Sequence, residues 1–290
     1  MSLNYCKNLL TDRKPSPGYE DIVEEKKVLH EIRMRERLDN DKDKLDRSLF
    51  EDTIESVAKK HKDKYKFIIQ GGKSLRDAAF SLFSLIWEKE KIPEEWYDSL
   101  LIQLHKSKSK HCLDNYRFIH LKGDWQRLFS QMVTLAAKEN LINHMSKFQI
   151  ATKPGHRATE HIFVILSIIA HYEVEGKLLL ISMIDLRKYF DSESAYDCWS
   201  EIYANQVKGK IYRLLFELNK KARIKVKTPV GVSDSSETNP LVSQGTSEGA
   251  IVSAVNLDNG MAEYFHSKSK TEDEEEDKET SVDGKNKRIK

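Results

Sequence analysis

The sequence predicts a mixed α+β fold on three observations. Residues 72–91 place Leu75, Ala78, Ala79, Leu82, Phe83, Ile86 and Trp87 at three- and four-residue intervals, the spacing of one apolar helix face. Residues 178–184, Leu-Leu-Leu-Ile-Ser-Met-Ile, are too few to cross a membrane and too apolar for a sheet with one wet face, so they predict a strand buried on both faces. Residues 223–227, Arg-Ile-Lys-Val-Lys, alternate strictly, as a strand with one buried and one basic face does. An all-helical protein is poorly compatible with this alternation.

A chain of 290 residues has ample length to bury a core, as one large domain or two ordinary ones. Hydrophobic residues make up 39% and charged residues 32%, so the chain reads as globular and heavily charged. The net charge of +2 conceals an acidic cluster over Thr271–Asp277 set against basic stretches elsewhere, which makes overall charge a weak guide to a nucleic-acid partner. Cys6, Cys112 and Cys198 are far apart and form no Cys-x-x-Cys pair, which predicts a reducing intracellular setting and argues against a zinc cage or a disulfide scaffold. Met1–Arg13 lacks the apolar core of a signal peptide, and the apolar runs 162–170 and 178–184 are each short, so no membrane span and no membrane partner is expected.

In chain order, residues 1–70 read as a charged, mostly helical extension with a thin apolar stripe and loose or partner-dependent packing. Residues 71–176 follow as a second unit that opens with the helix already described. Gly72-Lys73-Ser74 invites a phosphate-loop reading, which fails because the glycine required five positions earlier is Phe67. Residues 100–104 and 116–119 read as the two strands of a hairpin whose loop carries Lys106, Lys108 and Lys110. Such a hairpin presents Lys106 and Arg117 along one surface, where an ammonium and a guanidinium can grip a triphosphate. Residues 125–148 read as a helix, 153–157 as a basic turn and the run through Ile162–Ile169 as a further helix. Residues 177–265 hold the apolar strand, two helices over 196–206 and 210–221, the alternating strand and a helix from Ala250. Residues 266–290 have the composition of a disordered, charged tail whose basic end, Lys285-Asn286-Lys287-Arg288, could serve as a weak nuclear-localisation signal.

The apolar run 178–184 stops at Asp185, and a carboxylate held at the end of a buried strand suits a divalent-metal ligand, although a turn aspartate is the commoner role. Ile184-Asp185-Leu186-Arg187-Lys188-Tyr189-Phe190-Asp191 resembles the first catalytic motif of reverse transcriptases, an Asp followed five positions later by a bulky aromatic. Gly71–Leu75 through Ile92–Trp96, Asn115–Leu121, Lys153–Arg157 and Ser243-Gln244-Gly245 follow the order of the same family. Together these blocks resemble the reverse transcriptase of non-LTR (LINE-type) retrotransposons over residues 71–265.

That resemblance implies a right-hand polymerase architecture, with fingers over 71–176 and an incomplete palm of antiparallel sheet on helices over 177–265, and no thumb. It implies RNA-directed DNA polymerase activity: nucleotidyl transfer from a deoxynucleoside triphosphate onto a DNA primer, directed by an RNA template and assisted by two Mg2+ ions. Asp185, with the backbone carbonyl of Leu186, would be the metal-binding and catalytic position. Phe190 would lie under the sugar and exclude a 2′-hydroxyl, and Asp191 would set the local turn. Lys106, Arg117, Gln244 and Gly245 would contact the nucleotide, and Lys153 and Arg157 the nucleic acid. An intracellular location in nucleus and cytoplasm accompanies such a role.

Two departures from the family pattern matter. After Gly245 most relatives carry Ser-Pro, whereas this chain has Glu248-Gly249; one LINE subgroup has Gly-Ala, Ser-Ala and Asn-Leu-Asp, which match 249–250, 253–254 and 256–258. The paired Asp-Asp of the family does not occur anywhere in the sequence. Two cations about 3.5–4 Å apart need several carboxylates, so the 290-residue chain is expected to be inactive alone. The alternative is a non-catalytic retroelement-derived protein that binds RNA or protein through basic surfaces.

Overall fold

The computed structural model describes residues 19–37, 44–61, 63–186, 189, 195–238, 245–246 and 248–261. The fold is a mixed α+β arrangement, as the periodicities predict. Its helices are α1 (Tyr19–Arg35), α2 (Arg47–Lys60), α3 (Lys66–Gln70) and α4 (Gly72–Lys89), then α5 (Asp124–His144), α6 (Ala158–Val174), α7 (Ala195–Ala204), α8 (Gly209–Glu217) and α9 (248–261). The strands are β1 (Asp98–His105), β2 (Tyr116–Leu121), β3 (Ala222–Thr228), β4 (Gly231–Val232) and β5 (Ser236–Thr238). Among the described residues no helix is long and apolar enough to cross a membrane.

The helices share one core. Phe83 of α4 meets Phe129 of α5 edge-on at 5.2 Å between centroids, and Trp199 of α7 meets Phe216 of α8 in the same way at 5.6 Å. Ile251, Val252 and Val255 of α9 close the same cluster. This core reaches into the segment expected to be a loosely packed extension. Phe50, Ile54 and Val57 of α2 and Ile68 of α3 are buried in it, so the thin apolar stripe of residues 45–70 is a packing face, sparse only because one side of each helix is covered. Asp46 caps α2 by accepting from the Ser48 amide at 2.9 Å. The charged helix α1 docks on α7 and α8 through Lys26–Asp197 at 2.5 Å, His30 Nδ1 to Tyr212 Oη at 2.8 Å, and the Arg33 guanidinium 4.4 Å above the Tyr203 ring.

The sheet runs β2-β1-β3, and both β4 and β5 pair with β3. β1 and β2 are antiparallel with Leu104 opposite Arg117, whereas β1 and β3 are parallel with Leu100 opposite Lys225. The sheet is therefore mixed: β3 pairs antiparallel with β4 and β5, and parallel with β1 from the preceding stretch 71–176. Side chains alternate across it. Leu101, Phe118, Ala222, Ile224 and Val226 form a second, smaller core on one face, and Arg117, Lys225 and Lys227 stand on the other.

The apolar run before Asp185 departs from its prediction. Residues 178–186 form no strand and, apart from half-buried Leu179, lie exposed, Leu178 at 82% and Met183 at 94% of their accessible surface. Helix α6 forms where the periodicity placed it, yet none of its side chains is buried, and Phe163 is 71% exposed. Apolarity reports what a segment gains from burial and is silent on what covers it. Among the described residues no strand pairs with 178–186.

Candidate functional site

Asn115-Tyr116-Arg117 shapes the hairpin in which the first cationic candidates lie. The Asn115 carbonyl accepts from the Lys106 amide at 2.8 Å, closing the loop between β1 and β2. The Asn115 side-chain amide donates to the Ser109 carbonyl at 2.8 Å, and Tyr116 Oη donates to the Lys110 carbonyl at 2.9 Å. The lysine-bearing loop is thus held by the two residues before Arg117, which leaves Lys106 and Arg117 exposed with no ion pair among the described residues.

Gly245 meets β2 directly. Its φ of +100° lies where side chains are disfavoured, and a Cβ there would stand 2.8 Å from Ile119 Cγ2 and 3.4 Å from the His120 carbonyl oxygen. Ile119 points to the same face as Arg117, two residues earlier on the strand. The structure therefore brings Gly245 and Arg117 to one face of β2, although they are far apart in sequence.

A buried charge pair holds this approach. Lys122, just past β2, lies 3.3 Å from Glu248 in the first turn of α9, and the two side chains are 5% and 1% exposed. Ser130 of α5 donates to the other Glu248 oxygen, and Lys122 Nζ also reaches the Leu218 carbonyl and Asn219 Oδ1, each at 3.4 Å. Between Gly245 and Glu248, Thr246 Oγ1 accepts from the Gly249 amide at 3.1 Å and so caps α9. Beside the pair, His120 is buried against Ser99 Oγ at 3.0 Å. Desolvation, with the Lys122 charge second, holds its pKa down at about 3. Neither Lys122 nor Glu248 was singled out from sequence as a site residue; the signal was a carboxylate just before the apolar run Ala250-Ile251-Val252 that opens the helix.

The same helix reaches the Asp185 segment. Tyr189 Oη donates to the Ser253 carbonyl at 3.0 Å, and Asn256 lies 3.5 Å from that hydroxyl. Asp258 accepts from the Ser146 amide at 2.6 Å. Lys153 donates to the Met145 and Ser146 carbonyls at 3.3 and 2.7 Å, so two of its three donors are committed to closing the end of α5. Arg157 is exposed at the start of α6, where its amide donates to Glu160 at 2.9 Å. Phe190, Asp191 and Gln244 lie outside the described residues.

The fit to magnesium is poor. Asp185 and Leu186 sit on the exposed, irregular segment. Among the described residues no group of three or more His, Cys, Asp or Glu side chains gathers where a cation could be held. Mg2+ takes six oxygen ligands, commonly one or two carboxylates with water and substrate phosphates, so Asp185 and the Leu186 carbonyl would be only part of its shell.

No protein-family model matches the chain, and no curated protein matches it.

Proposed function

We propose that the chain is the fingers and part of the palm of a LINE-type reverse transcriptase, an RNA-directed DNA polymerase that binds a deoxynucleoside triphosphate between the hairpin and the Gly245 loop. The observation that carries this reading is the contact of Gly245 with β2 on the face that bears Arg117. A triphosphate needs cations and a backbone that can come close; a glycine at positive φ against the strand that bears Arg117, whose guanidinium has no ion pair among the described residues, offers both. Lys106 extends the same cationic edge, and Gln244 and Phe190 would complete the nucleotide contacts. The RNA template and DNA primer are the macromolecular partners, Arg157 is a candidate phosphate contact, and Lys153 acts first as a cap. Nucleotidyl transfer in this family uses two Mg2+ ions, whose further ligands would have to join Asp185 and Leu186.

The non-catalytic reading, a retroelement-derived RNA-binding protein, is favoured by the exposure of Asp185 away from any acidic cluster among the described residues. Primer extension on an RNA template with magnesium tests whether this chain holds a complete catalytic site, and triphosphate binding separates the two readings. The 290-residue chain is expected to retain template RNA without extending the primer; extension abolished by Asp185→Asn would establish a complete polymerase site in this chain. Loss of triphosphate binding in Arg117→Gln, read by titration of a fluorescent deoxynucleotide, supports the nucleotide site, and unchanged affinity refutes it.

A further inference from the structure

Outside the residues assigned to the nucleotide, the basic face of the sheet has no assigned role. Lys225 and Lys227 of β3 point away from the smaller core, are exposed, and form no ion pair among the described residues. Their neighbours toward the start of the strand differ: Arg223 pairs with Asp98 at 2.7 Å and Lys221 with Glu94 at 3.1 Å. The cations are thus neutralised at one end of β3 and unneutralised at the other. No acidic residue occurs over 99–113 or 222–233, which supply β1 after Asp98, its loop and β3. The acids on or next to these strands are Asp98 at the start of β1, already paired with Arg223, Glu237 opposite Arg223 on β5, Asp234 after β4 and Asp114 at the hairpin.

Register then orders the charges. β1 and β3 run parallel with Leu100 beside Lys225, so Lys227 lies further along toward the end of β1 that carries Leu104. Leu104 is opposite Arg117 on β2. Lys225, Lys227, Arg117 and the lysines of the 106–110 loop form a diagonal across three strands. Strands about 4.8 Å apart put the outer two about 10 Å from each other, and residues two apart on one strand are about 6.6 Å apart. Between the cations the floor is aliphatic: Ile102 is half-buried, Ile119 is half-buried where Gly245 approaches it, and Leu104 and Leu121 are exposed.

We infer that this face is a binding track for the phosphate backbone of a single-stranded nucleic acid, with Lys225 and Lys227 each neutralising one phosphate. The spacing along β3 suits successive phosphates of an extended strand, and the aliphatic floor gives sugars and bases an apolar surface. The inference goes beyond the polymerase reading, because it requires neither Asp185 nor a bound triphosphate and holds equally for a catalytic or a non-catalytic protein.

The test is a salt titration of fluorescence anisotropy with labelled 20-nucleotide oligo(U) and oligo(dT), using the full chain. Each single-strand phosphate contact contributes about 0.7 to the slope of log K against log salt. Lys225→Gln/Lys227→Gln is expected to reduce that slope by about 1.4 for both polymers. Lys59→Gln/Lys66→Gln, a matched charge change on α2 and α3, is expected to leave it unchanged. Equal loss in the control pair would overturn the track in favour of overall charge. So would an unchanged slope in the β3 pair, or a loss confined to one polymer. Displacement of the oligonucleotide by poly-glutamate at equal charge concentration would overturn it in favour of an acidic peptide. Triphosphate binding and primer extension are read separately, so failure here does not decide the polymerase reading, nor the reverse.

Discussion

Glu248→Gln removes one charge from the most deeply buried ion pair at the site while keeping the shape of the side chain. Lys122 would then be left 5% exposed, facing an amide, a carbonyl and Asn219 with no compensating anion. Breaking a buried pair from one side costs about 3–5 kcal/mol, because the surviving charge stays desolvated. A domain of ordinary stability has about 5–15 kcal/mol in total, so the substitution removes a large share of it. Lys122→Met should cost as much, stranding the Glu248 carboxylate beside Ser130. Lys122→Met/Glu248→Gln should cost less than the sum of the two by about 2 kcal/mol or more, since no unpaired charge remains. Urea unfolding of the four proteins closes the cycle, provided the slope with denaturant stays constant. Additive losses, or a Glu248→Gln loss under about 1 kcal/mol, would refute the pair as the strut between β2 and α9.

Gly245→Ala should destabilise by about 1–3 kcal/mol, from strain at φ +100° and from a methyl 2.8 Å from Ile119 Cγ2; adding Ile119→Ala should relieve the contact but not the backbone strain, and a silent Gly245→Ala in thermal melting would sink the close approach. Because α6 buries none of its side chains, Phe163→Ser should change stability by no more than about 0.5 kcal/mol, whereas Leu128→Ala in the core should cost about 2–5 kcal/mol; comparable losses in chemical denaturation would show that α6 is packed. His30 is held neutral at a pKa of about 4 by burial and, secondarily, by Arg33. Above pH 6.5 both states carry it neutral, and below that the unfolded chain takes up the proton first, so stability falls by up to about 1.4 kcal/mol per pH unit between pH 6.5 and 4. His30→Gln should flatten that dependence in acid unfolding curves, and an unchanged curve would place His30 in solvent.

Much of the secondary structure was legible in the sequence, because helix and strand periodicities are local. Leu75 to Trp87 announce α4, and Arg223 to Lys227 announce β3 with its one basic face. The hairpin and its cations were readable for the same reason, and the structure adds why Asn115 and Tyr116 precede Arg117: they hold the lysine loop closed. Residues 45–70 were misjudged because a helix covered on one side shows few apolar residues, and whether they are buried depends on partners distant in sequence.

By itself, the sequence determined which segments favour helix or strand, where the cations lie, and that no Asp-Asp pair occurs. Only the tertiary structure decided that Gly245 touches β2, that Lys122 finds Glu248, and that β3 lies parallel to β1 with its lysines on the face of Arg117. It also decided that the apolar run ending at Asp185 stays exposed, a place where local preference and long-range pairing disagree. The physical reason is the same in each case. Periodicity and apolarity are properties of neighbours along the chain, whereas register, charge pairing and burial are set by residues a hundred or more positions away.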